Sequence, residues 1–274
     1  MNYKLIVTDL DGTLLTPDMN VSRENTEAIK KISDAGITFA VSSGRTLYEI
    51  PEELLNNPNI RYITYSNGSA IYDKNLGRDI YSSKIKKEDV KAAIDIISDY
   101  DVFASTHVAG RAYINEGSLT KESCDHYQIN DYYYRILLDS NRTESVKSLA
   151  TATDETEAIV LFFASDDEMA ECRARLEKIE GITVTASVAH NIEFCPAKAG
   201  KGKALLRLAE ILGIKKEEII SIGDNMNDTS MFEHSGLALC AGNGSDEAKA
   251  MADAVICKNT EHVADFALKN HLEI

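Results

Sequence analysis

The chain has 274 residues, of which 44% are hydrophobic, and this is the composition of a globular protein of one or two domains. Its 44 acidic residues against 29 basic ones give a formal charge of −15, which disfavours binding to nucleic acid or to an anionic membrane. No apolar run approaches the roughly 18 residues of a membrane span, and the N-terminal residues do not have the pattern of a signal peptide. We therefore expect a cytoplasmic protein with no nucleic-acid partner and no membrane partner.

The N-terminal part of the chain alternates between strand and helix patterns. The segment KLIVTD predicts a buried strand, and a helix is predicted from about Ser22 to Ala35, with Ser22 as its N-cap and Gly36 as its stop. The apolar runs ITFAVSS and RYITYSNGS predict two further strands, the second closed by an Asn-Gly turn. Strands that alternate with helices in this way predict a parallel sheet.

The middle of the chain, from about Lys84 to Val188, has a different pattern. Its predicted strands are more polar and several are adjacent in sequence, which is typical of an α+β domain with a mainly antiparallel sheet. Helices are predicted over Glu88–Asp99 and Asp166–Glu180. The tyrosine cluster Tyr132–Tyr134 is expected to pack inside this domain, and an interface with another molecule is the alternative.

The C-terminal third returns to the alternating pattern. An amphipathic helix is predicted over Lys201–Leu212, and the apolar strands that follow it are EIISIGD, GLALCAG and DAVICK. The sequence thus predicts a discontinuous α/β core of residues 1–83 and 189–274, with a Rossmann-like parallel sheet covered by helices on both faces. An α+β cap domain, residues 84–188, is predicted to be inserted into this core.

Polar side chains follow four of the predicted core strands. They are Asp9 and Asp11 after the first strand, Ser42-Ser43-Gly44-Arg45 after the second, Asn67-Gly68 after the third, and Asp224 with Asn227-Asp228 after a later one. Ligands bind outside the carboxyl ends of the strands in an open parallel sheet, so these residues should share one edge. Asp9 and Asp11 repel each other and are costly to desolvate, which calls for a metal, a proton or a reaction that offsets the cost.

Four segments of the chain resemble the four motifs of the haloacid dehalogenase (HAD) superfamily, in the family's order. They are DLDGT at 9–13, SSGR at 42–45, KGKAL at 201–205 and GDNMND at 223–228. The large insertion between the second and third motifs is similar to the α+β cap (C2, type IIB) of the Cof-type phosphatases. The stretch AGNG at 241–244 departs from the family's usual Met-Gly-Asn-Ala-like sequence, and this departure affects none of the catalytic assignments.

The resemblance implies a Mg²⁺-dependent phosphatase that works through an aspartyl-phosphate. Asp9 would be the nucleophile, and Asp11 would protonate the leaving alcohol and then deprotonate the attacking water. Mg²⁺ would be held by the Asp9 carboxylate, the Asp11 backbone carbonyl and the Asp224 carboxylate. In the same loop Gly12 would permit a tight turn and Thr13 would hold the loop by hydrogen bonding.

The resemblance also implies a phosphate site. The Ser43 hydroxyl and the Gly44 N–H would bind phosphate oxygens, and Asn227 would position the phosphate. Lys201 would neutralise both Asp9 and the phosphate, while Asp228 would orient Lys201 or a metal-bound water without holding the metal itself. Three residues remain as alternatives for these roles, namely Ser42 in place of Ser43, and Lys198 or Lys203 in place of Lys201.

The expected substrate is a small phosphorylated metabolite, with sugar phosphates first. A phosphomutase or phosphotransferase would use the same chemistry and is one alternative. A non-enzymatic phosphoacceptor or regulatory module is another, although such modules are usually shorter and lack both the insertion and the GDNMND segment. Polar residues of the predicted cap could contact the substrate or belong to its ordinary surface, and they include His107, Arg111, His126 and Tyr127.

Overall fold

A computed structural model describes residues 3–186 and 190–272 of the chain and divides them into two compact units. The first unit contains the described residues up to Gly44, the segment Ile50–Tyr81 and the described residues from Lys201 onward. The second unit contains Arg45–Glu49 and the described part of Ser82–Gly200.

Strands and helices of the described residues are numbered in chain order. The strands are β1 Leu5–Thr8, β2 Thr38–Ser42, β3 Ile60–Tyr65, β4 Ala70–Asp73, β5 Arg78–Ser82, β6 Val102–Val108, β7 Arg111–Asn115, β8 Asn141–Thr143, β9 Thr156–Phe163, β10 Ile182–Thr185, β11 Asn191–Pro196, β12 Ile219–Gly223, β13 Leu237–Cys240 and β14 Ala254–Val255. The helices are α1 Arg23–Asp34, α2 Glu52–Leu55, α3 Lys87–Ile97, α4 Lys121–His126, α5 Asp131–Leu138, α6 Val146–Ala152, α7 Asp166–Leu176, α8 Lys201–Leu212, α9 Thr229–Phe232, α10 Asp246–Met251 and α11 Val263–His271.

The first unit is built on one sheet, which among the described residues has the strand order β14-β13-β12-β1-β2-β3-β4-β5. The strands from β14 to β3 pair in parallel, and β4 returns antiparallel to β3. The predicted α/β class with a parallel-sheet core is therefore confirmed. The sequence analysis did not predict β4 or β5; β4 has only four residues, and β5 is only half buried with a weak alternation.

Helix α1 shows how local sequence sets the elements of this unit. It begins after Ser22, whose side chain accepts a hydrogen bond from the Asn25 N–H, as an N-cap does. It ends before Gly36, which adopts a φ of +83° that favours glycine. On another helix, α8, the apolar residues pack on the sheet, and their cluster joins Leu205 and Leu208 to Leu5 and Val7 of β1. Each helix thus begins and ends near the residues that the sequence predicted.

The second unit contains a separate sheet with the strand order β10-β11-β9-β6-β7-β8 in the described residues. Its strand pairs are antiparallel except for β7 and β8. The central strand β9 is buried along its whole length, and its residues alternate between two apolar clusters. Ile159, Leu161 and Phe163 pack with α3, α6 and α7, whereas Val160 and Phe162 pack with α4 and α5.

The tyrosine-rich segment forms α5 and packs within the second unit, as expected. Tyr133 and Tyr134 lie against the apolar cluster around Phe162, and the Tyr133 and Phe162 rings meet edge to face with centroids 4.8 Å apart. Asn130 caps the helix through its side chain, which accepts from the Tyr133 N–H at 2.8 Å.

The segment Arg45–Glu49 belongs to the second unit although it follows Gly44 directly in the sequence. The Tyr48 N–H donates to the Gly110 carbonyl at 3.2 Å, and Arg111 stacks over the Tyr48 ring with its guanidinium carbon 3.7 Å from the centroid. Arg45 donates to the Glu49 carbonyl at 3.0 Å and to the Tyr132 hydroxyl at 3.4 Å. These contacts place the segment against the β6–β7 turn and α5.

The division into units differs from the predicted domains at its edges. The predicted boundary between residues 188 and 189 lies outside the described residues, and the second unit continues to Gly200. Residues 190–200 belong to it because β11 pairs with both β9 and β10. Residues 45–49 also belong to it, where the sequence placed them in the core.

Among the described residues, no helix combines the length and the apolar character that crossing a bilayer requires.

Candidate active site

The polar residues predicted at strand ends lie on neighbouring strands of the first unit. Asp9 follows β1, Ser43 follows β2, Asn67 follows β3 and Asp224 follows β12. These four strands are adjacent and parallel in the order β12-β1-β2-β3, so their carboxyl ends form one edge. The Asp9 N–H donates to the Ile222 carbonyl at 2.8 Å, which extends the pairing of β1 with β12 up to the site.

The chain after β1 makes a tight turn within Leu10–Leu14. Asp11 has φ and ψ of −77° and 116°, and Gly12 has 81° and −3°, the pattern of a type II turn that requires a positive φ at its third residue. A Cβ atom at Gly12 would lie 2.3 Å from Asp224 Oδ2, so the glycine also makes room for that carboxylate. Thr13 donates to Asp224 Oδ1 at 2.9 Å. The turn therefore fits against Asp224.

Lys201, the first residue of α8, lies between two carboxylates. Its Nζ is 2.5 Å from Asp9 Oδ1 and 2.6 Å from Asp228 Oδ1, and all three side chains are buried. Asp228 Oδ2 accepts from the backbone N–H groups of Asp224 and Asn225 at 3.0 and 3.1 Å. Both oxygens of Asp228 are thereby engaged, and Lys201 is the lysine that the structure places at Asp9.

The electrostatics of the site are those of several carboxylates around one ammonium group. Burial raises the pKa of Asp9 well above its usual value; Lys201 opposes this rise, whereas Asp228, Asp224 and Asp11 add to it. Burial and the nearby Asp228 raise the pKa of Asp224 to about 7. Burial alone would lower the pKa of Lys201, but Asp228 and Asp9 together raise it above its usual value. Lys201 therefore stays cationic at any physiological pH.

The donor set fits a hard divalent cation. Asp9, Asp224 and Asp228 each place a carboxylate oxygen within 4.8 Å of the others. Asp228 is committed to Lys201 and to backbone N–H groups, which leaves Asp9 and Asp224 as the carboxylates suited to a metal. Burial, and after it the neighbouring carboxylates, raise the pKa of both carboxyls, and a bound cation would offset both effects. Oxygen ligands of this kind suit Mg²⁺.

The predicted phosphate-binding residues lie at the ends of β2 and β12. Ser43 is buried, with its N–H on the Thr64 carbonyl at 2.9 Å, and Gly44 follows it. Asn227 lies in the turn after β12 and donates from Nδ2 to Asn67 Oδ1 at 3.2 Å. The Ser42 hydroxyl is buried and has no hydrogen-bond partner within residues 3–186 and 190–272, so Ser42 remains the alternative to Ser43.

Two asparagines that the sequence did not single out hold the turn after β1. Asn243 Nδ2 donates to the Gly12 carbonyl at 2.7 Å, and its Oδ1 accepts from the Asn259 N–H at 2.8 Å. Asn259 Nδ2 in turn donates to the Leu15 carbonyl at 2.9 Å. Asn243 belongs to the AGNG stretch, to which the sequence gave no catalytic role. More than 200 residues separate each asparagine from the carbonyl that its side chain binds, so no local pattern could predict these two contacts.

Polar residues of the predicted cap have partners inside the second unit. His126 Nε2 and the Tyr127 hydroxyl both lie 2.7 Å from carboxylate oxygens of Asp101. Arg111 stacks on Tyr48, and His107 is buried in β6. The contacts of His126, Tyr127 and Arg111 are those of ordinary structural residues, and we assign them no role in binding.

Comparison with known proteins decides the family. The family model described as haloacid dehalogenase-like hydrolase matches residues 6–266, which is nearly the whole chain. The chain belongs to this family. The resemblance seen in the four sequence motifs is therefore confirmed.

Similar proteins of this family are named phosphatases. The chain is 32% identical to the 5-amino-6-(5-phospho-D-ribitylamino)uracil phosphatase YwtE of Bacillus subtilis, over 94% of each chain. It is 31% identical to the phosphatase YwpJ of the same organism, over 98% of this chain and 100% of that one. A solved haloacid dehalogenase-like hydrolase from B. subtilis has a TM-score of 0.86 at 28% identity, over 98% of this chain and 100% of that chain. The predicted enzyme class, a HAD-type phosphatase acting on phosphoric monoesters, is confirmed at this level.

Proposed function

We propose that the protein is a Mg²⁺-dependent phosphatase that hydrolyses small phosphate monoesters, sugar phosphates first, through an aspartyl-phosphate on Asp9. The observation that carries the proposal is the buried array in which Lys201 bridges Asp9 and Asp228, with Asp224 against the turn that carries Asp11. Phosphoryl transfer needs an in-line nucleophile, neutralised charge and fixed positions, and this array supplies groups for each.

The first half-reaction forms the covalent intermediate. An Asp9 carboxylate oxygen attacks phosphorus, and the bond from phosphorus to the alcohol oxygen breaks as the new bond forms. Asp11 gives its proton to the departing alcohol oxygen. Lys201 favours the ionised form of Asp9 against the effect of burial and balances the charge of the phosphate. When bound by the carboxylates of Asp9 and Asp224 and the Asp11 carbonyl, Mg²⁺ supplies further positive charge next to the phosphate oxygens.

The second half-reaction restores the enzyme. Asp11, now ionised, takes a proton from a water whose oxygen attacks phosphorus, and the bond between phosphorus and Asp9 breaks to release inorganic phosphate. Ser43, the Gly44 N–H and Asn227 hold the phosphate oxygens through both steps. Asp228 keeps Lys201 in place through the 2.6 Å contact.

The substrate class is supported by the relatives. The named substrate of YwtE carries its phosphate on a ribityl chain, a sugar alcohol, and this chain is 32% identical to that protein. A phosphorylated polyol or sugar is therefore the first substrate class to test. The acidic chain, with a net charge of −15, gives no general attraction for phosphate, so binding must come from the local groups.

The test is phosphate release from an aryl phosphate and a panel of sugar and polyol phosphates, with Mg²⁺ and with chelator. Wild type should turn over only with Mg²⁺, and Asp9→Asn should lose at least about 1,000-fold in kcat, because an amide cannot act as the nucleophile. The matched control is Asp34→Asn, an exposed aspartate of α1, which should keep wild-type turnover. Turnover that survives in Asp9→Asn would remove Asp9 as the nucleophile.

The same assay separates the alternatives. Label that stays in the sugar phosphate pool without release of phosphate would favour a phosphomutase. A stable phosphoryl group on Asp9 with no turnover on any substrate would favour a phosphoacceptor. Both outcomes contradict the proposed hydrolysis.

A further inference from the structure

We propose that Asn67 is a positioning residue of the phosphate site, which holds the Asn227 amide and the Ser43-Gly44 loop in the orientation that binds a phosphate dianion. This inference rests on the proposed function and adds a residue to that site. The sequence placed Asn67 at a strand end but gave it no role in the chemistry.

The backbone at Asn67 is in a costly conformation. Ser66, Asn67 and Gly68 have φ angles of 48°, 51° and 86°, so three consecutive residues lie in the left-handed region. Two of them carry side chains, for which this region is unfavourable, although asparagine tolerates it better than most residues. Such conformations persist where the surrounding structure requires them and are concentrated at functional sites. Asn67 is also nearly fully buried, with 4% of its surface exposed.

The contacts of Asn67 connect it with each of the predicted phosphate-binding residues of the two strand ends. Its N–H donates to the Ser43 carbonyl at 3.0 Å. Its side-chain amide lies against Gly44, where a Cβ atom would stand 3.3 Å from Asn67 Nδ2 and 3.4 Å from Oδ1. Its Oδ1 accepts from Asn227 Nδ2 at 3.2 Å. One side chain therefore joins the loop after β2 to the turn after β12.

The hydrogen bond between the two amides gives Asn227 a direction. An asparagine amide has a donor end and an acceptor end, and a phosphate oxygen can be bound only by the donor end. Because Asn67 Oδ1 accepts from Asn227 Nδ2, the NH₂ group of Asn227 is held on the Asn67 side. One N–H is used in that bond, and the second has no acceptor within residues 3–186 and 190–272. That second N–H suits a phosphate oxygen.

Gly44 is part of the same arrangement. A Cβ atom at position 44 would lie 3.3 Å from Asn67 Nδ2, which is closer than ordinary van der Waals contact. A side chain at this position would therefore displace the Asn67 amide. Gly44 therefore allows close approach of the loop to Asn67, in addition to offering its own N–H.

The test compares Asn67→Gly and Asn67→Asp with wild type. Asn67→Gly accepts the left-handed backbone at no cost and removes the amide, so it separates the two roles of the residue. Asn67→Asp keeps an oxygen that accepts from Asn227 but puts a negative charge beside the phosphate. The readouts are kcat, KM, binding of inorganic phosphate to the Mg²⁺-loaded protein by calorimetry, and the Mg²⁺ concentration for half-maximal activity.

We expect Asn67→Gly to raise KM and to weaken phosphate binding by about 10-fold, the effect of losing one well-placed hydrogen-bond partner at a charged ligand. Asn67→Asp should weaken phosphate binding further, because like charges repel. The Mg²⁺ requirement should stay within about 2-fold of wild type, because Asn67 contacts Ser43, Gly44 and Asn227 whereas the metal would be held by Asp9 and Asp224.

The matched control is Met19→Gly, which relieves a left-handed residue with φ of 64° elsewhere in the first unit and should leave KM and phosphate binding unchanged. Wild-type KM and phosphate affinity in Asn67→Gly would overturn the inference, whatever the melting temperature. If Asn67→Gly does not fold, Asn67→Asp decides, and wild-type phosphate affinity in that variant would also overturn it. Phosphate binding can be measured without turnover. A wild type that is inactive on the whole panel would contradict the proposed function, and the phosphate affinities of wild type and Asn67→Gly would still test the role of Asn67.

Discussion

Two ion pairs of this protein have nearly the same length and very different surroundings. Lys201 and Asp228 are 2.6 Å apart and almost fully buried, whereas Lys30 and Asp34 are 2.5 Å apart on the exposed face of α1. Exposed pairs contribute little to stability, because water and salt screen them and two flexible side chains must be ordered. Removing one partner of a buried pair leaves a charge without compensation, which is costly.

We therefore expect Asp228→Asn to lower the free energy of unfolding by about 3 kcal/mol. This value is at the lower end of the range for a broken buried ion pair, because Lys201 would still be paired with Asp9. The amide would also turn an NH₂ group toward either Lys201 or the N–H groups of Asp224 and Asn225. Phosphatase activity should fall at least about 100-fold, because Lys201 would no longer be held. Thermal melting and the aryl phosphate assay measure the two effects.

The control for this variant is Asp34→Asn, whose expected change is below about 0.5 kcal/mol. Equal melting temperatures for Asp228→Asn and Asp34→Asn would show that the buried bridge does not stabilise the fold.

At this scale the sequence indicated the charged residues of the candidate site and the amide Asn227, but it did not indicate which residues the amides contact. Asp9, Asp11 and Asp224 could be proposed from the sequence because carboxylates clustered at strand ends need a compensating charge or a reaction, and Lys201 could be proposed because it matches a family motif. Asn67 was visible only as a turn residue, since its contact with Asn227 joins positions that are 160 residues apart. Amide side chains carry no charge that would mark them, so their partners appear only in the fold.

The turn after β1 offers a test of close approach with an internal control. Gly12 and Gly36 have nearly equal φ angles of 81° and 83°. A Cβ atom at Gly12 would meet Asp224 Oδ2 at 2.3 Å, whereas a Cβ atom at Gly36 would meet nothing within 4 Å. Both substitutions by alanine should therefore cost about 1–2 kcal/mol from the left-handed backbone. The difference between them reports the approach to Asp224.

We predict that Gly12→Ala raises the Mg²⁺ concentration for half-maximal activity by more than about 10-fold, because Asp224 must move away from the turn. Gly36→Ala should keep the wild-type Mg²⁺ requirement and the wild-type kcat at 25 °C. Titration of activity with Mg²⁺ measures both. A wild-type Mg²⁺ requirement in Gly12→Ala would mean that Asp224 is not held by the turn.

The two asparagines behind the turn act on the same element. Asn243 binds the Gly12 carbonyl, Asn259 binds the Leu15 carbonyl, and the two residues are hydrogen-bonded to each other. We expect Asn243→Ala and Asn259→Ala each to lower kcat by about 10-fold, because each loss loosens the segment that carries Asp11. In the double variant the loss should be smaller than the product of the single losses, since the contacts form one network.

The control for these variants is Asn56→Ala, an exposed residue whose side chain donates a hydrogen bond to the exposed Glu52 of α2. It should leave kcat unchanged. Full additivity of Asn243→Ala and Asn259→Ala would contradict a shared network.

Elements were predictable where their signals are local. Helices α1 and α8 carry an apolar stripe, and α1 also has a capping serine and a terminal glycine, so both lie where the sequence put them. Strand β8 has three residues and a polar sequence, and its pairing with β7 comes from the tertiary structure. Helix α5 falls in a stretch whose tyrosines have no strong preference for helix, and it is supported by the Asn130 cap and by packing on the cluster around Phe162.

At the scale of the whole molecule, the acidic site couples stability to pH. The pKa of Asp224 is raised to about 7 in the folded protein without metal, against 3.8 for a free carboxyl, with burial as the largest cause. The folded state then binds this proton more tightly than the unfolded state does. The stability that this carboxyl contributes is present below about pH 4 and is lost as the pH rises through about 7.

We predict that Mg²⁺ raises the melting temperature more at pH 8 than at pH 5. At pH 5 the Asp224 carboxyl holds a proton that competes with the metal, whereas at pH 8 the ionised carboxylate is available to bind it. Each 1 kcal/mol of metal binding should appear as roughly 2–4 °C in a protein of this size class. Melting curves with Mg²⁺ and with chelator at the two pH values measure this. Asp224→Asn is the control, and its response to Mg²⁺ should be small at both values.

The position of Arg45–Glu49 has a consequence for exchanging parts between related enzymes. A recombinant chimera that imports only Ser82–Gly200 would lack the matching segment Arg45–Glu49, which contacts Gly110 and Tyr132. A cassette with intact internal packing must carry both pieces, and its first splice point then falls between Gly44 and Arg45. The exchanged piece would therefore begin at Arg45, directly after Gly44 of the loop proposed to bind phosphate. Any exchange of the second unit would then place a new covalent junction at the end of that loop.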